Sequence, residues 1–421
     1  MFPNAQSCKA MFNRLTDHAY NSWLVLLREH LQEERYSRWV TANYLRAARC
    51  FLRDLERRGS VLESVSPADV EHYLDGLKRK RDRRALPAPW RRAQRAAIQM
   101  LLRLVHGQWP PEIAPTTADE IAMNEVISDY DAWMAELRGL SESTREHGRT
   151  EAHSLLRWLG DRHKSVATLC VADLDAYVAW RGSWMRRSSK ATMVSALRGV
   201  LRYLHGSGRM PVDLAGAIDG PPIYALEGIP STIRPEDIER ALKAARCDRS
   251  ALGRRDYAML MLLSSYGLRA GEVMGLRLSD IDWRHERLHI RHTKTGAYSE
   301  LPLLRGPADA LLDYLQHGRP ATTFREVFLR VLAPYRPLSS VAALHYMMSR
   351  RFQAIGVSLP GKHGVHVLRH SRAVSLLRGG VPVKVIGDVL GHRSERSTAA
   401  YLKLATEDLR AVALDLPRMS P

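Results

Sequence analysis

Cysteine is scarce in this chain. Four are present in 421 residues, Cys8, Cys50, Cys170 and Cys247, far apart and never as a Cys-x-x-Cys pair. Such spacing predicts neither a disulfide framework nor a zinc site, but the reduced thiols of a cytoplasmic protein. No apolar run reaches the roughly eighteen residues that a membrane span requires. The amino-terminal stretch MFPNAQSCKAMFNRLTDHAY lacks the basic-then-apolar order of a signal peptide. No GxxxxGK[ST] phosphate loop occurs, and the last third has no carboxylate cluster at metal-ligand spacing. The expectation is chemistry that uses neither a nucleotide nor a metal cofactor.

What is abundant is positive charge. The formal net charge is +18 and the pI about 10.0. A field of that sign favours a polyanionic partner, nucleic acid above all. The excess is uneven: residues 1–120 carry +6, residues 121–220 carry +1 and residues 221–421 carry +11. With 45% hydrophobic and 26% charged residues, the composition is that of a globular protein, and the length predicts two to three domains.

The first half repeats itself. FLRDLERRGS (51–60) aligns with LLRWLGDRHK (155–164), and SVSPADVEHYL (64–74) with TLCVADLDAYV (168–178), both at an offset of 104. LLRLVHG (101–107) aligns with VLRYLHG (200–206) at an offset of 99, so the second copy is five residues shorter before its last helix. Each copy reads as a small helical domain. Basic residues gather before the last helix of each: GLKRKRDRR and WRRAQR in the first, RGSWMRRSSKAT in the second. Arg91, Arg92, Arg186, Arg187 and Lys190 are the candidate phosphate contacts, since arginine forks phosphate oxygens and neighbouring hydroxyls donate to them.

Gly/Pro-rich linkers at 107–120 and 206–230 divide the chain. The predicted domains are a helical DNA-binding arm at 1–119, a second helical domain at 120–222 and a catalytic domain at 223–421. In the last, TIRPEDIERALKAAR starts a helix with proline just inside and acids in its first turn. An apolar helix then breaks at Gly267 and restarts at Arg269. Leu288 and Ile290 alternate as in a strand, Lys294-Thr-Gly is a turn, and Leu301 and Leu303 resume around Pro302, which marks an edge. The fold class is therefore mainly α with a small antiparallel sheet. Arg254 and Arg255 read as solvated, and His289 and His292 as surface residues flanking the hairpin.

Six residues of this region suit one task. They are Arg269, Lys294, His366, Arg369, His392 and Tyr401, the last nine residues past His392 in LGHRSERSTAAY. In-line attack on a phosphodiester builds negative charge on the non-bridging oxygens, which two guanidiniums can clamp and histidines can support. A tyrosine phenol, with an ordinary pKa of about 10, needs a base or a positive field before it attacks. The departing 5′-oxygen needs an acid, and a lysine on a hairpin can supply one.

Together these motifs make the chain resemble the tyrosine recombinases, the phage-integrase type of site-specific recombinase. YGLRAGE carries the first arginine, TKTG the lysine, HVLRH the His-x-x-Arg box and LGHRSERSTAAY the last histidine and the nucleophile. The resemblance covers about residues 225–410, with 126–209 similar to the family's core-binding domain and the first repeat to a further arm of that type. It implies that Arg269 and Arg369 bind the scissile phosphate, that His366 assists acid-base work and that His392 donates to a phosphate oxygen. It implies Lys294 as general acid, Tyr401 as the nucleophile that takes the DNA 3′-phosphate, and Glu272 as the supporting carboxylate. It also implies a bacterial protein at the nucleoid. There it would clamp double-stranded DNA and exchange strands in a homotetramer, alone or with other recombinases, to integrate, excise or transpose a mobile element. Two positions depart from the pattern: Lys403 stands where many relatives have histidine, and the glycine common before the lysine is missing.

Two other readings use the same residues. A type IB-like topoisomerase runs the same chemistry but relaxes supercoils alone. A non-catalytic DNA-binding protein would have lost the chemistry. The second histidine and the two helical arms favour recombination, and the full set of six groups speaks against decay.

Overall fold

The computed structural model describes residues 21–79, 88–111, 115–222, 231–292, 296, 298–359 and 364–391. Two runs of helices open it in the same order. The first run is α1 (Asn21–Glu33), α2 (Arg38–Arg58), a 3-10 turn at Leu62–Ser64, α3 (Pro67–Arg79) and α4 (Ala88–His106). The second is α5 (Ala118–Glu136), α6 (Glu142–Gly160), a 3-10 turn at Val166–Thr168, α7 (Val171–Gly182) and α8 (Arg187–Gly206). The starts of the turns and of the helices after them keep the offset of 104 found in the sequence. The link before the last helix spans 80–87 in the first run and only 183–186 in the second.

Local chemistry sets the ends. The Ser37 hydroxyl accepts the Val40 N–H at 3.3 Å, and Gly59, at φ +65°, stops α2 in a left-handed conformation that costs glycine little. Thr117 and Glu120 exchange side-chain and backbone hydrogen bonds at 3.2 Å each and start α5.

Each run closes its own hydrophobic core, around Leu27, Leu31, Phe51, Ile98 and Leu101 in the first and Leu155, Tyr177, Leu197 and Leu201 in the second. Burying each such side chain contributes about 1.5–3 kcal/mol. In both, a tyrosine of the third helix meets a ring of the second edge-on. Tyr73 lies 5.1 Å from Phe51, and Tyr177 lies 5.5 Å from Trp158. The Tyr177 hydroxyl also donates to the buried Glu151 at 2.6 Å.

The helices of the second run form a compact unit by themselves, and the described residues on either side of it form another. Within that other unit, Arg35 donates to the Ala321 carbonyl at 2.8 Å and Glu34 pairs with Arg336. Its third core starts at α9 (Pro235–Cys247), which has proline at its first turn with Glu236 and Asp237. α10 (Ala251–Tyr266) ends at Gly267, and α11 (Ala270–Met274) follows. A three-stranded antiparallel sheet comes next, β1 (Ile281–Asp282), β2 (Arg287–Arg291) and β3 (Tyr298–Pro302), in the order β1-β2-β3. Leu288 opposes Leu301 and Ile290 opposes Ser299; the strand carrying Pro302 is an edge, where a missing N–H is tolerated. α12 (Arg305–His317), α13 (Val341–Gln353), α14 (His366–Arg378) and α15 (Val383–Val389) complete the described chain.

The core here joins Leu263, Val273, Leu288, Leu311, Phe328, Phe352 and Leu368. The Tyr266 hydroxyl fastens the end of α10 to the sheet: it donates to the Pro302 carbonyl and accepts the Leu304 N–H, both at 2.9 Å. Among the described residues no helix is long and apolar enough to cross a membrane.

Arg254 and Arg255 are not solvated, contrary to the expectation from sequence. Arg254 pairs with Asp313, and Arg255 lies 3.2 Å from Asp256, which is fully buried. Asp256 also takes Arg350 and, at 3.0 Å, the Nε of Arg351. A buried carboxylate needs this much donation, because desolvation without it costs several kcal/mol. Partners so far along the chain leave no local mark in the residue pattern.

Candidate active site

Arg269 stands where the chain leaves Gly267 and turns into α11. Its backbone is extended, at φ −74° and ψ 153°, which leaves its N–H outside the helical ladder. Glu272, one turn on, reaches back and accepts that N–H with Oε2 at 2.7 Å. The other carboxylate oxygen, Oε1, accepts Nη1 of the Arg269 guanidinium, also at 2.7 Å. The Glu272 side chain is wholly buried. Burial opposes its ionisation, but hydrogen bonds from His292 and from the backbone and guanidinium of Arg269 outweigh it, and the carboxyl is held below its ordinary range.

Arg369 lies in the first turn of α14 and is 3% exposed. Its Nη1 donates to the Gly267 carbonyl at 2.9 Å and its Nη2 to the Leu390 carbonyl. Arg269 in turn donates Nη2 to the Gly391 carbonyl at 3.2 Å. The two guanidiniums therefore grip successive carbonyls of one stretch of chain. Leu390 is seated by Ala373 of α14 and Ile386 of α15, so the helix pair delivers this stretch to the arginines.

Gly267 has φ +67°, and a Cβ on it would lie 2.9 Å from Leu390 Cδ2. Glycine meets both the left-handed helix stop and this close passage without strain. Arg372 passes the same glycine; burial lowers its pKa from the ordinary arginine value.

The structure thus brings Arg269, Glu272 and Arg369 into one place. A guanidinium has five N–H donors, and those fixed on carbonyls and a carboxylate set the plane of the whole fork. Such a preset pair suits a phosphate whose charge grows during reaction. His366 is exposed at the start of α14, one turn before Arg369, with its ring 6.3 Å from that of His370. Lys294, His392 and Tyr401, together with Lys403, lie outside the described residues. Their chain neighbours His292 and Gly391 do not.

His292 corrects the reading from sequence, which places it on the surface. It is 2% exposed. Its Nδ1 lies 2.7 Å from Glu272 Oε1 and its Nε2 lies 2.7 Å from the Ser299 hydroxyl. The ionised carboxylate only accepts, so Nδ1 carries the proton. A signal is present in the sequence: 288, 290 and 292 share one face of the strand pattern, and the first two are core residues. His289 faces the other way and is partly exposed.

The candidate DNA contacts of the helical runs lie on or beside α4 and α8. Arg91 is partly buried on α4, 4.0 Å from Asp75, and Arg92 is exposed beside it. Arg186 and Arg187 are exposed at the start of α8. The stem of Lys190 lies across Gly182, where a Cβ would meet its Cε at 2.4 Å.

Residues 231–408 match the Phage integrase family, and residues 127–208 match its N-terminal SAM-like domain. A protein of Sinorhizobium fredii named an integrase/recombinase is 32% identical over 404 residues, which is 94% of this chain and 94% of that one. A shorter one from the same organism is 52% identical over 189 residues, 45% of this chain and 97% of its own length. The tyrosine recombinase XerD of Vibrio vulnificus is 28% identical over 282 residues, 66% of this chain and 90% of the relative. Among solved structures, XerH recombinase bound to difH DNA after cleavage has a TM-score of 0.56 at 15% identity, covering 72% of this chain and 89% of that one. A lambda integrase dimer bound to a core site has a TM-score of 0.52 at 19% identity, over 70% of this chain and 99% of the other. These two share its fold.

Proposed function

The chain belongs to the phage integrase family, the tyrosine recombinases, and from that premise we propose that its charged cluster cuts and rejoins DNA through Tyr401. Site-specific strand transfer on DNA is the activity of that family, and the chain is an enzyme of this class. Arg269 and Arg369 clamp the non-bridging oxygens of the scissile phosphate, His392 donates to one of them, and His366 does acid-base work beside it. The Tyr401 hydroxyl gives its proton to His366 as its oxygen attacks phosphorus, a 3′-phosphotyrosine bond forms, and the bond to the 5′-oxygen breaks. Lys294 gives that oxygen its proton. Glu272 carries no part of the reaction itself; it holds Arg269. The bond energy is kept in the phosphotyrosine, so rejoining needs neither ATP nor metal.

The observation that carries this reading is the shared anchorage of the two arginines. Arg369 grips the carbonyl of Leu390 and Arg269 that of Gly391, the residues directly before His392 in LGHRSERSTAAY. A guanidinium pair fixed to the two residues before His392 supports a reading in which one feature serves both phosphate and nucleophile.

The partner is double-stranded DNA, gripped by the catalytic unit and by the helical domains 120–222 and 1–119, with Arg91, Arg92, Arg186, Arg187 and Lys190 on the phosphates. The active assembly is a homotetramer that brings two sites together, in the cytoplasm at the nucleoid, and its task is to integrate, excise or transpose a mobile element. The solved relatives described as bound to DNA, and a lambda integrase described as a tetramer on a Holliday junction, support this. The test is recombination by purified protein. Plasmids carrying the two ends of the DNA element that encodes the chain are incubated without metal or ATP, and new joints are sequenced. A joint at one fixed position supports the reading. Relaxation of any supercoiled plasmid without such a joint would make the chain a topoisomerase instead.

A further inference from the structure

We propose that His292 is a positioning residue, which sets the guanidinium of Arg269 by bracing both of its side-chain anchors. This rests on the function just proposed. It assigns a task to a buried group that the phosphate chemistry itself does not use.

Arg269 has two side-chain partners among the described residues, Glu272 Oε1 and the Gly391 carbonyl. His292 touches both residues. Its Nδ1–H donates to the same Oε1, at 2.7 Å. Its ring fills the space in front of Gly391 so closely that a Cβ there would lie 2.4 Å from Cε1 and 2.5 Å from Nε2. The ring is in turn fixed at its far end by the Ser299 hydroxyl, 2.7 Å from Nε2. Ser299 belongs to β3 and His292 directly follows β2, so the sheet supplies a rigid mount.

The physical consequence concerns direction. A carboxylate oxygen that accepts from two donors cannot swing toward either without losing the other. With His292 in place, Oε1 is pinned on the side away from Arg269, and the guanidinium plane is fixed with it. Glu272 also keeps the charge that Arg269 needs, since the Nδ1–H bond is the first of the contributions that offset its burial. Without the imidazole, Glu272 and the Gly391 segment each gain room to shift. A shift of an ångström in a phosphate clamp is enough to slow the reaction without loosening the DNA, whose contacts are spread over the whole protein.

Three variants test this: Ser299→Ala, His292→Ala and His292→Asn. The asparagine keeps a donor where Nδ1 stands and gives up the link to Ser299. The substrate is a nicked duplex on which the wild-type protein forms its covalent adduct. The adduct rate is measured in single turnover at saturating protein, beside the affinity for the same duplex and the unfolding midpoint. The expectation is that affinity stays within about twofold while the His292→Ala rate falls by up to about a hundredfold, the scale of a misplacement of an ångström. Asparagine should restore most of that rate. Ser299→Ala, which opens no cavity at the carboxylate but takes the hydroxyl donor from the buried Nε2, should lower the midpoint less than His292→Ala does and slow the adduct several-fold.

Equal rates for all three variants and wild type would overturn the proposal. So would a fall in rate that only follows the fall in affinity or in folded fraction, or an asparagine variant as slow as alanine. Failure of the wild type itself to form an adduct on any duplex would instead overturn the function on which the inference rests. The two failures are thus told apart by the wild-type lane.

Discussion

Gly391 and His292 pack so closely that any side chain on the glycine would enter the imidazole ring. The ideal Cβ would stand 2.4 Å from Cε1, and the glycine holds φ +62°. Gly391→Ala therefore combines two penalties. The left-handed backbone costs about 1–2 kcal/mol for a residue with Cβ, and the ring must move away from Glu272. The expected outcome is a modest drop in unfolding free energy with a much larger loss of adduct formation. Denaturant titration beside a cleavage assay checks it; a variant that cleaves at the wild-type rate would contradict it.

Arg369 should prove the less replaceable arginine for stability. It is 3% exposed and satisfies the carbonyls of Gly267 and Leu390. Arg369→Ala leaves two buried acceptors unpaired, at about 1–3 kcal/mol each. Arg369→Lys keeps the charge but not the fork, and should recover less than half of the stability and little of the cleavage. Calorimetry and the adduct assay, run on both variants, decide this. Recovery of full cleavage by lysine would show that charge alone suffices.

Glu272 gives a pH dependence with a definite sign. Its folded-state pKa lies below the ordinary value of 4.5. It therefore contributes stability that is fully present above that value and is lost as pH falls through the lower folded-state pKa. Glu272→Gln removes the contribution. Wild type should exceed the variant in unfolding free energy at pH 7, and the gap should narrow steadily below about pH 4.5. Urea titrations from pH 7 to pH 3 measure the gap; a gap that widens toward acid would reverse the assignment.

Asp256 tests the scaffold apart from the chemistry. It is wholly buried and held by Arg255, Arg350 and Arg351. Removing one partner of a buried ion pair costs about 3–5 kcal/mol, because the remaining charges lose their compensation. Asp256→Ala should thus unfold at clearly lower denaturant. Replacement with no loss of stability would mean that the arginines reach water.

Much of the fold is legible in the residue pattern. Pro235 with its acids, Gly267, the Leu288 and Ile290 alternation and the glycines after Arg378 each give an element its place, because caps, breakers and period-two patterns are local effects. The mainly helical fold with one small antiparallel sheet follows from them. Arg269 and Glu272 can be paired from their spacing of one helical turn. The anchorage of Arg269 on Gly391 cannot, since it joins residues 122 apart in sequence. Nor can the arginines around Asp256, up to 95 residues distant. His292 is the instructive error. Its polarity suggests surface, while its register with Leu288 and Ile290 points inward, and the buried carboxylate that makes an inward histidine tolerable lies on another element.

The most direct measurement is covalent trapping. Duplexes tiled across the ends of the DNA element that encodes the chain are nicked so that cleavage releases a short fragment and blocks rejoining. Wild type and Tyr401→Phe are incubated with them without metal or ATP and run under denaturing conditions. A protein–DNA adduct with wild type, and none with the phenylalanine variant, is the predicted result. An adduct that survives the loss of Tyr401, or tight binding with no adduct on any duplex, would contradict the assignment of Tyr401 as nucleophile.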